Sequence, residues 1–274
     1  NRQGIDFFKA GEPTVASRLF EKQLNGSPAD QAEALYYLGE IAYDTNKISE
    51  ALTYYQKGWN ASPDYAYNKI GEGKVLLKTD KSAAQKAFDT AIKVNKKDPP
   101  VYVAIAKAYL INGMEAEAQA ALDNAKKQNI NDPSIYLYEG DWLISKDKPG
   151  DAAGRYEQAI HFDPACKEAY IKYADVYQGV TPALSIEMLR KVIANYPDYL
   201  PAYYKLGNIY SLQGNYSQAI AAYKTYMTER VYSIDNLIHY ASALFFNKQY
   251  AEAEKAINKG QATDPGNFLL KRLA

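Results

Sequence analysis

Residues 36–43 read Tyr-Tyr-Leu-Gly-Glu-Ile-Ala-Tyr, and a similar order returns at 203–210 as Tyr-Tyr-Lys-Leu-Gly-Asn-Ile-Tyr and at 102–109 as Tyr-Val-Ala-Ile-Ala-Lys-Ala-Tyr. The small residue inside each stretch recurs at Gly39, Gly71, Ala106, Gly140, Ala174, Gly207 and Ala241, in steps of 32, 35, 34, 34, 33 and 34 residues. About a dozen residues later stands a second small residue: Ala51, Ala84, Ala118, Ala152, Ser185, Ala219 and Ala253, with Ala16 before them. Four further on comes a bulky one: Phe20, Tyr55, Phe88, Leu122, Tyr156, Leu189, Tyr223 and Ile257. Pro28, Pro63, Pro99, Pro133, Pro164, Pro197 and Pro265 close most units, and the unit ending near Val231 has no proline. A fixed period of this length marks a repeat architecture.

Each period reads as two helices. The first carries apolar residues at helical spacing, as in Leu35, Leu38, Ala42 and Tyr43. A polar turn follows, such as Asp44-Thr45-Asn46-Lys47 or Leu212-Gln213-Gly214-Asn215, and then a second helix such as the one through Ala51 and Tyr55. Two helices approach closely only where side chains are small, and the bulky residue four positions on fills the space beside that contact. One such pair cannot bury its own apolar face, so the next must cover it. No two-residue alternation persists, which excludes β architectures.

This pattern resembles the tetratricopeptide repeat: a period near 34, a small residue in the first helix, Ala-x-x-x-Tyr/Phe in the second, and a closing proline. The resemblance implies an all-α, right-handed superhelical solenoid of antiparallel helix pairs, about eight units in one domain over 1–274. The units are expected near 1–31 (partial), 32–65, 66–98, 99–132, 133–165, 166–198, 199–232 and 233–266, with 267–274 opening a further helix or a cap. Unit order and tyrosine richness also resemble envelope-associated repeat proteins of Gram-negative bacteria. There are departures: Lys74 stands where the third unit should carry an aromatic, Asn95–Pro99 is long, and Gln178–Pro182 is a short turn. These point to local changes of curvature within one domain.

The 32 basic and 32 acidic residues cancel, and no run of five like charges occurs. Nucleic-acid binders draw most of their affinity from phosphate contacts, so this balance argues against such a partner. No apolar run reaches the ~20 residues that span a bilayer. The 26 tyrosines stand out against 8 Phe and 2 Trp, and each offers an apolar body with a polar tip. The residues from Asn1 to Phe8 lack the apolar core of a signal peptide. A start inside a helix, with the envelope resemblance, sets the expectation of a trimmed bacterial periplasmic or envelope protein, the cytoplasm being the alternative. Phe268, Leu269, Leu270 and Leu273 have no later unit to cover them, so they are expected either to cap the array or to belong to a longer parent protein. The alternative to a binding scaffold is a structural or self-assembling repeat segment of a larger envelope protein, with self-association through this end.

Catalysis has no legible residue set. His161 and His239 fall in separate units, too far apart for a zinc site. Cys166 is the single cysteine, in a turn with no histidine nearby. Gly71-Glu72-Gly73-Lys74 lacks phosphate-loop spacing and lies in a helix. Glu115 and Glu117 read as a solvated helix face. No enzyme activity, cofactor or metal is expected.

The family resemblance implies that first helices line a concave face that holds protein or peptide partners. Carried over unit by unit, the lining is Tyr36, Glu40, Tyr43, Tyr65, Asn68, Glu72, Lys107, Asp141, Asp175, Tyr204, Asn208, Ser211 and Phe245. Aromatic anchors supply most of the energy of such surfaces. The carboxylates favour a neutral or basic ligand over an acidic one. The Lys, Asn and Arg set with which chaperone-binding members clamp a C-terminal carboxylate is missing at matching positions.

Overall fold

The computed structural model describes residues 2–227 and 232–273; the unit end near Val231 and the side chain of Leu273 lie outside the described residues. Regular structure among the described residues is helical throughout. The chain runs α1 (Arg2–Lys9), α2 (Pro13–Gln23), α3 (Pro28–Asp44), α4 (Ile48–Ala61), α5 (Tyr67–Leu76) and α6 (Lys81–Val94). It continues through α7 (Pro99–Ile111), α8 (Glu115–Gln128), α9 (Pro133–Ser145), α10 (Pro149–Phe162), α11 (Lys167–Tyr177) and α12 (Pro182–Asn195). The last are α13 (Leu200–Leu212), α14 (Tyr216–Tyr226), α15 (Ile234–Phe246), α16 (Tyr250–Thr263) and α17 (Phe268–Leu273). First helices pack on their own second helices (α3 on α4, α7 on α8, α13 on α14) and on the next first helix (α3 on α5, α5 on α7, α7 on α9). This is the helical solenoid that the period implies.

Proline and turn chemistry set the boundaries. Pro28, Pro99 and Pro133 each open a first helix, where the missing N–H is one that a helix start leaves unpaired anyway. Between the two helices of a pair, six turns among the described residues share one geometry. The residue with positive φ is Gly11 (81°), Asn46 (61°), Gly113 (73°), Asp147 (57°), Gly214 (74°) or Lys248 (61°). The N–H that follows returns to a carbonyl five residues back, as in Lys47 to Ala42 at 2.8 Å and Asn215 to Tyr210 at 2.9 Å. This left-handed closure satisfies carbonyls that the helix end would leave free.

The close contact within a repeat follows a size rule. A Cβ at Gly39 would stand 2.4 Å from the Tyr55 ring, at Gly73 2.4 Å from Phe88, at Gly140 2.3 Å from Tyr156 and at Gly207 2.5 Å from Tyr223. Where the first helix carries Ala106, Ala174 or Ala241 instead, the matching position of the second is aliphatic: Leu122, Leu189 or Ile257, all buried. Glycine faces a ring and alanine faces a branched aliphatic chain, so the summed volume stays near constant in a close-packed interior. The third repeat is thereby re-registered. Its small residue is Gly73, 34 residues after Gly39, while Gly71 makes room for Tyr55 of the preceding repeat, 2.4 Å from an added Cβ.

Contacts divide the chain into two compact units, Asn1–Ala169 and Tyr170–Ala274. In the first, α1 reaches the start of α11: Asp6 pairs with Lys167, and Lys9 Nζ lies 3.3 Å from Glu168 Oε2. In the second, α17 folds onto its neighbours. Leu270 is fully buried, with Cδ1 2.7 Å from a Cβ added at Gly260, whereas Phe268 and Leu269 stay 72% and 49% exposed.

Candidate functional site

Counted from the small residue of each repeat, positions six, three and two before it and one after it lie on one face of the first helix, because they are spaced i, i+3, i+4, i+7. In α3 they are Glu33, Tyr36, Tyr37 and Glu40; in α7 they are Pro100, Val103, Ala104 and Lys107. These residues, with Ser134 and Leu137 of α9, Tyr65 and Tyr67 at the start of α5, Phe8 and Lys9 of α1 and Glu168, wall a single cavity of about 420 Å³ in the first unit. First helices of successive repeats thus converge on one space.

One wall is aromatic. The Tyr36 centroid lies 5.0 Å from Tyr37, 6.0 Å from Tyr65 and 5.5 Å from Tyr67. Tyr37 stacks on Phe20 at 4.9 Å and meets Phe8 edge-on at 5.2 Å. The tyrosines are half-buried. Desolvation holds all four hydroxyls above the ordinary tyrosine range, reinforced by Glu40 at Tyr36, Glu33 at Tyr37, Tyr37 and Glu33 at Tyr65, and Asp98 at Tyr67. They remain neutral donors at any physiological pH.

The position after the small residue builds a polar seam. Tyr55 Oη donates to Glu40 at 2.7 Å, Tyr156 Oη to Asp141 at 3.0 Å and Tyr223 Oη to Asn208 at 2.7 Å. Lys74, buried and 4.1 Å over the Tyr43 ring, also reaches Glu40 at 2.7 Å, and Lys107 lies 3.8 Å from Asp141. Several carboxylates expected as lining therefore hold neighbouring repeats together.

Of the residues expected from sequence, Tyr36, Glu40, Tyr65 and Lys107 meet in the cavity. Tyr43 is buried. Asn68 is fully buried and donates to the Ala32 carbonyl at 2.9 Å, so it ties α5 to α3 and presents no surface. Glu72 pairs with Lys69 at 2.6 Å. In the second unit Asp175 binds Lys205 at 2.8 and 3.0 Å. Tyr204 is buried beside Tyr226, its hydroxyl 2.6 Å from His239 Nδ1. Asn208 and Ser211 lie near Tyr223, and Phe245 is exposed against Phe246 and Tyr250. Sequence reasoning missed Glu33, Tyr37, Tyr67, Val103 and Ala104, although the i, i+3, i+4, i+7 spacing through Tyr36 marks the first two.

A second cavity of about 410 Å³ involves Trp142, Leu143, Gln119, Glu139 and Arg155. Its Glu139 is held by Lys126 at 2.7 Å and Arg155 at 3.2 Å. Burial pushes the Cys166 thiol up to about 11, which keeps it protonated and a poor nucleophile at neutral pH. Among the described residues no His, Cys, Asp or Glu group could hold a metal ion, and no helix is long and apolar enough to cross a membrane.

Comparison with known proteins agrees with this architecture. Two family models, both described as tetratricopeptide repeat, match residues 1–66 and 188–221. A search of curated proteins finds no match. The crystal structure of PilW, a type IV pilus biogenesis factor, is similar with TM-score 0.59 at 18% identity, covering 76% of this chain and 97% of that one. The MamA protein gives TM-score 0.51 at 23% identity, covering 62% and 93%. The human IFIT1 dimer with PPP-AAAA gives 0.55 at 14%, covering 97% and 69%. At these identities the likeness is one of fold.

Proposed function

We propose that this chain, in which tetratricopeptide-repeat models match residues 1–66 and 188–221, is a scaffold for protein interaction whose first unit holds an extended segment of a partner protein in the cavity walled by α3, α5, α7 and α9. The observation that carries this reading is the convergence of half-buried tyrosines from α3 and the start of α5 with the apolar face of α7 and α9. Rings of this kind give contact area with little side-chain entropy to lose. The zero net charge supports a protein ligand over nucleic acid. The uneven charge balance of the wall, with three carboxylates (Glu33, Glu40 and Glu168) against two lysines (Lys9 and Lys107), supports a neutral or basic segment over an acidic one.

Panning a random peptide display library on the full chain tests this, with affinities of recovered peptides measured by fluorescence anisotropy. Ala104→Trp fills the cavity from a half-buried position, and Tyr36→Ala opens its aromatic wall. Peptides that bind wild type and lose about tenfold or more in affinity to both variants establish the site. Peptides retained by both variants place binding elsewhere.

A second reading rests on Phe268 and Leu269, exposed side by side on α17: this end of the second unit self-associates. Sedimentation of the chain over a wide concentration range, with Phe268→Ser as control, decides it. A monomer throughout removes the reading.

A further inference from the structure

The charges around the cavity do not balance. Glu40 is matched by Lys74 at 2.7 Å, Glu168 by Lys9 at 3.3 Å, and Lys107 by Asp141 at 3.8 Å. Glu33 also lines the cavity, and among the described residues it has no cationic partner. Its charge helps to hold the hydroxyls of Tyr37 and Tyr65, which line the same cavity, above the ordinary tyrosine range. The second cavity makes the contrast, because its Glu139 meets both Lys126 and Arg155. One half-buried, uncompensated carboxylate therefore stands beside four tyrosine rings, Tyr36, Tyr37, Tyr65 and Tyr67, whose centroids lie within 5.0–6.0 Å of their neighbours.

We propose that this cavity is a cage for a cationic side chain, arginine or lysine, of the bound segment, held over the tyrosine faces and met by Glu33. Ring faces attract a cation through their quadrupole, more strongly once water is excluded. A carboxylate held in a partly dry wall gains a partner that it lacks in the free protein. A volume of about 420 Å³ admits one long side chain and excludes a folded domain. An acidic side chain would meet Glu33 head-on, and a neutral one would leave its charge unmatched. The inference rests on the peptide-binding reading above and adds to it the chemistry of the anchor.

The test uses the full chain and three probes: acetyl-Gly-Gly-Arg-Gly-Gly-amide, the same peptide with lysine, and the same with citrulline, which keeps arginine's shape without its charge. Binding is followed by ligand-observed NMR. The arginine and lysine peptides should bind about tenfold tighter than the citrulline peptide. In Glu33→Gln, with helix content checked by circular dichroism, the preference should shrink to within about threefold. Glu33→Lys should exclude both cationic peptides. Equal affinity for arginine and citrulline, a preference that survives Glu33→Gln, or no binding of the cationic probes each overturns the cage. Displayed peptides that bind in the cavity yet share no basic residue would remove the cage and leave the peptide-binding reading standing.

Discussion

Lys74 Nζ lies 2.7 Å from Glu40 Oε1, joining the same position of two successive repeats, with the lysine only 4% exposed. The same carboxylate oxygen accepts from Tyr55 Oη, and the ammonium also sits over the Tyr43 ring. A buried pair loses far more when one partner goes than when both do, because the survivor is left charged and dry. Glu40→Gln keeps an acceptor for Tyr55 but strands the lysine, so it should destabilise by about 3 kcal/mol. Glu40→Gln with Lys74→Met should lose clearly less. Urea unfolding followed by far-ultraviolet circular dichroism measures both.

Gly140 and Tyr156 give a second prediction. An added Cβ would stand 2.3 Å from the ring, so Gly140→Ala should cost about 1–3 kcal/mol through overpacking. Gly140→Ala with Tyr156→Leu recreates the alanine–leucine pairing seen at Ala106 and Leu122. It should recover part of the loss, short of full recovery because the hydrogen bond to Asp141 is gone. A double-mutant cycle measures the coupling.

Lys248 adopts φ 61° at a turn where Gly113 and Gly214 do the same without a side chain. A side chain there costs about 1 kcal/mol. Lys248→Gly should therefore stabilise by about 0.5 kcal/mol after the added freedom of the unfolded chain is counted. Thermal unfolding monitored on wild type and variant checks the sign.

Alkaline pH should unfold this protein through its tyrosines. Burial pushes the Tyr138 hydroxyl up to about 12, and desolvation holds Tyr55, Tyr65 and Tyr223 above the ordinary range. The unfolded chain releases these protons near the reference value of about 10, while the folded chain retains them. Their contribution is therefore intact below about pH 10 and is lost as pH rises from there through the folded values. A spectrophotometric titration should show exposed tyrosines ionising first and reversibly, and the rest only as helicity disappears. Smooth ionisation of all tyrosines with helicity intact would contradict it.

The repeat itself was legible because two residue types recur at fixed offsets, and the polar turns Asp44–Lys47 and Leu212–Asn215 fall where α3 and α13 end. The third repeat was harder. Gly71 and Gly73 are both small, each for a different ring, and only contacts distinguish them. Taking Gly71 as the reference shifts the lining by two residues, which is how Asn68 and Glu72 came to be expected there. Tyr204 occupies the same repeat position as Tyr36, yet Tyr226 and His239 cover it. No spacing rule reveals what a neighbouring repeat will place over a side chain. Helical spacing puts Glu33 on the face of Tyr36, but only the structure shows that no cation pairs with it among the described residues.

The pairing of glycine with ring and alanine with aliphatic chain also fixes where this molecule could be cut and rejoined. The two members of each pair lie on opposite sides of the turn between helices, about half a period apart. A crossover placed in the loop after a second helix transplants both members together. One placed in the intrahelix-pair turn, at Asn46 or Asp147 for instance, separates them and sets alanine against tyrosine or glycine against leucine. Exchange between repeats is then tolerated only as whole cassettes, each bringing its own matched lock.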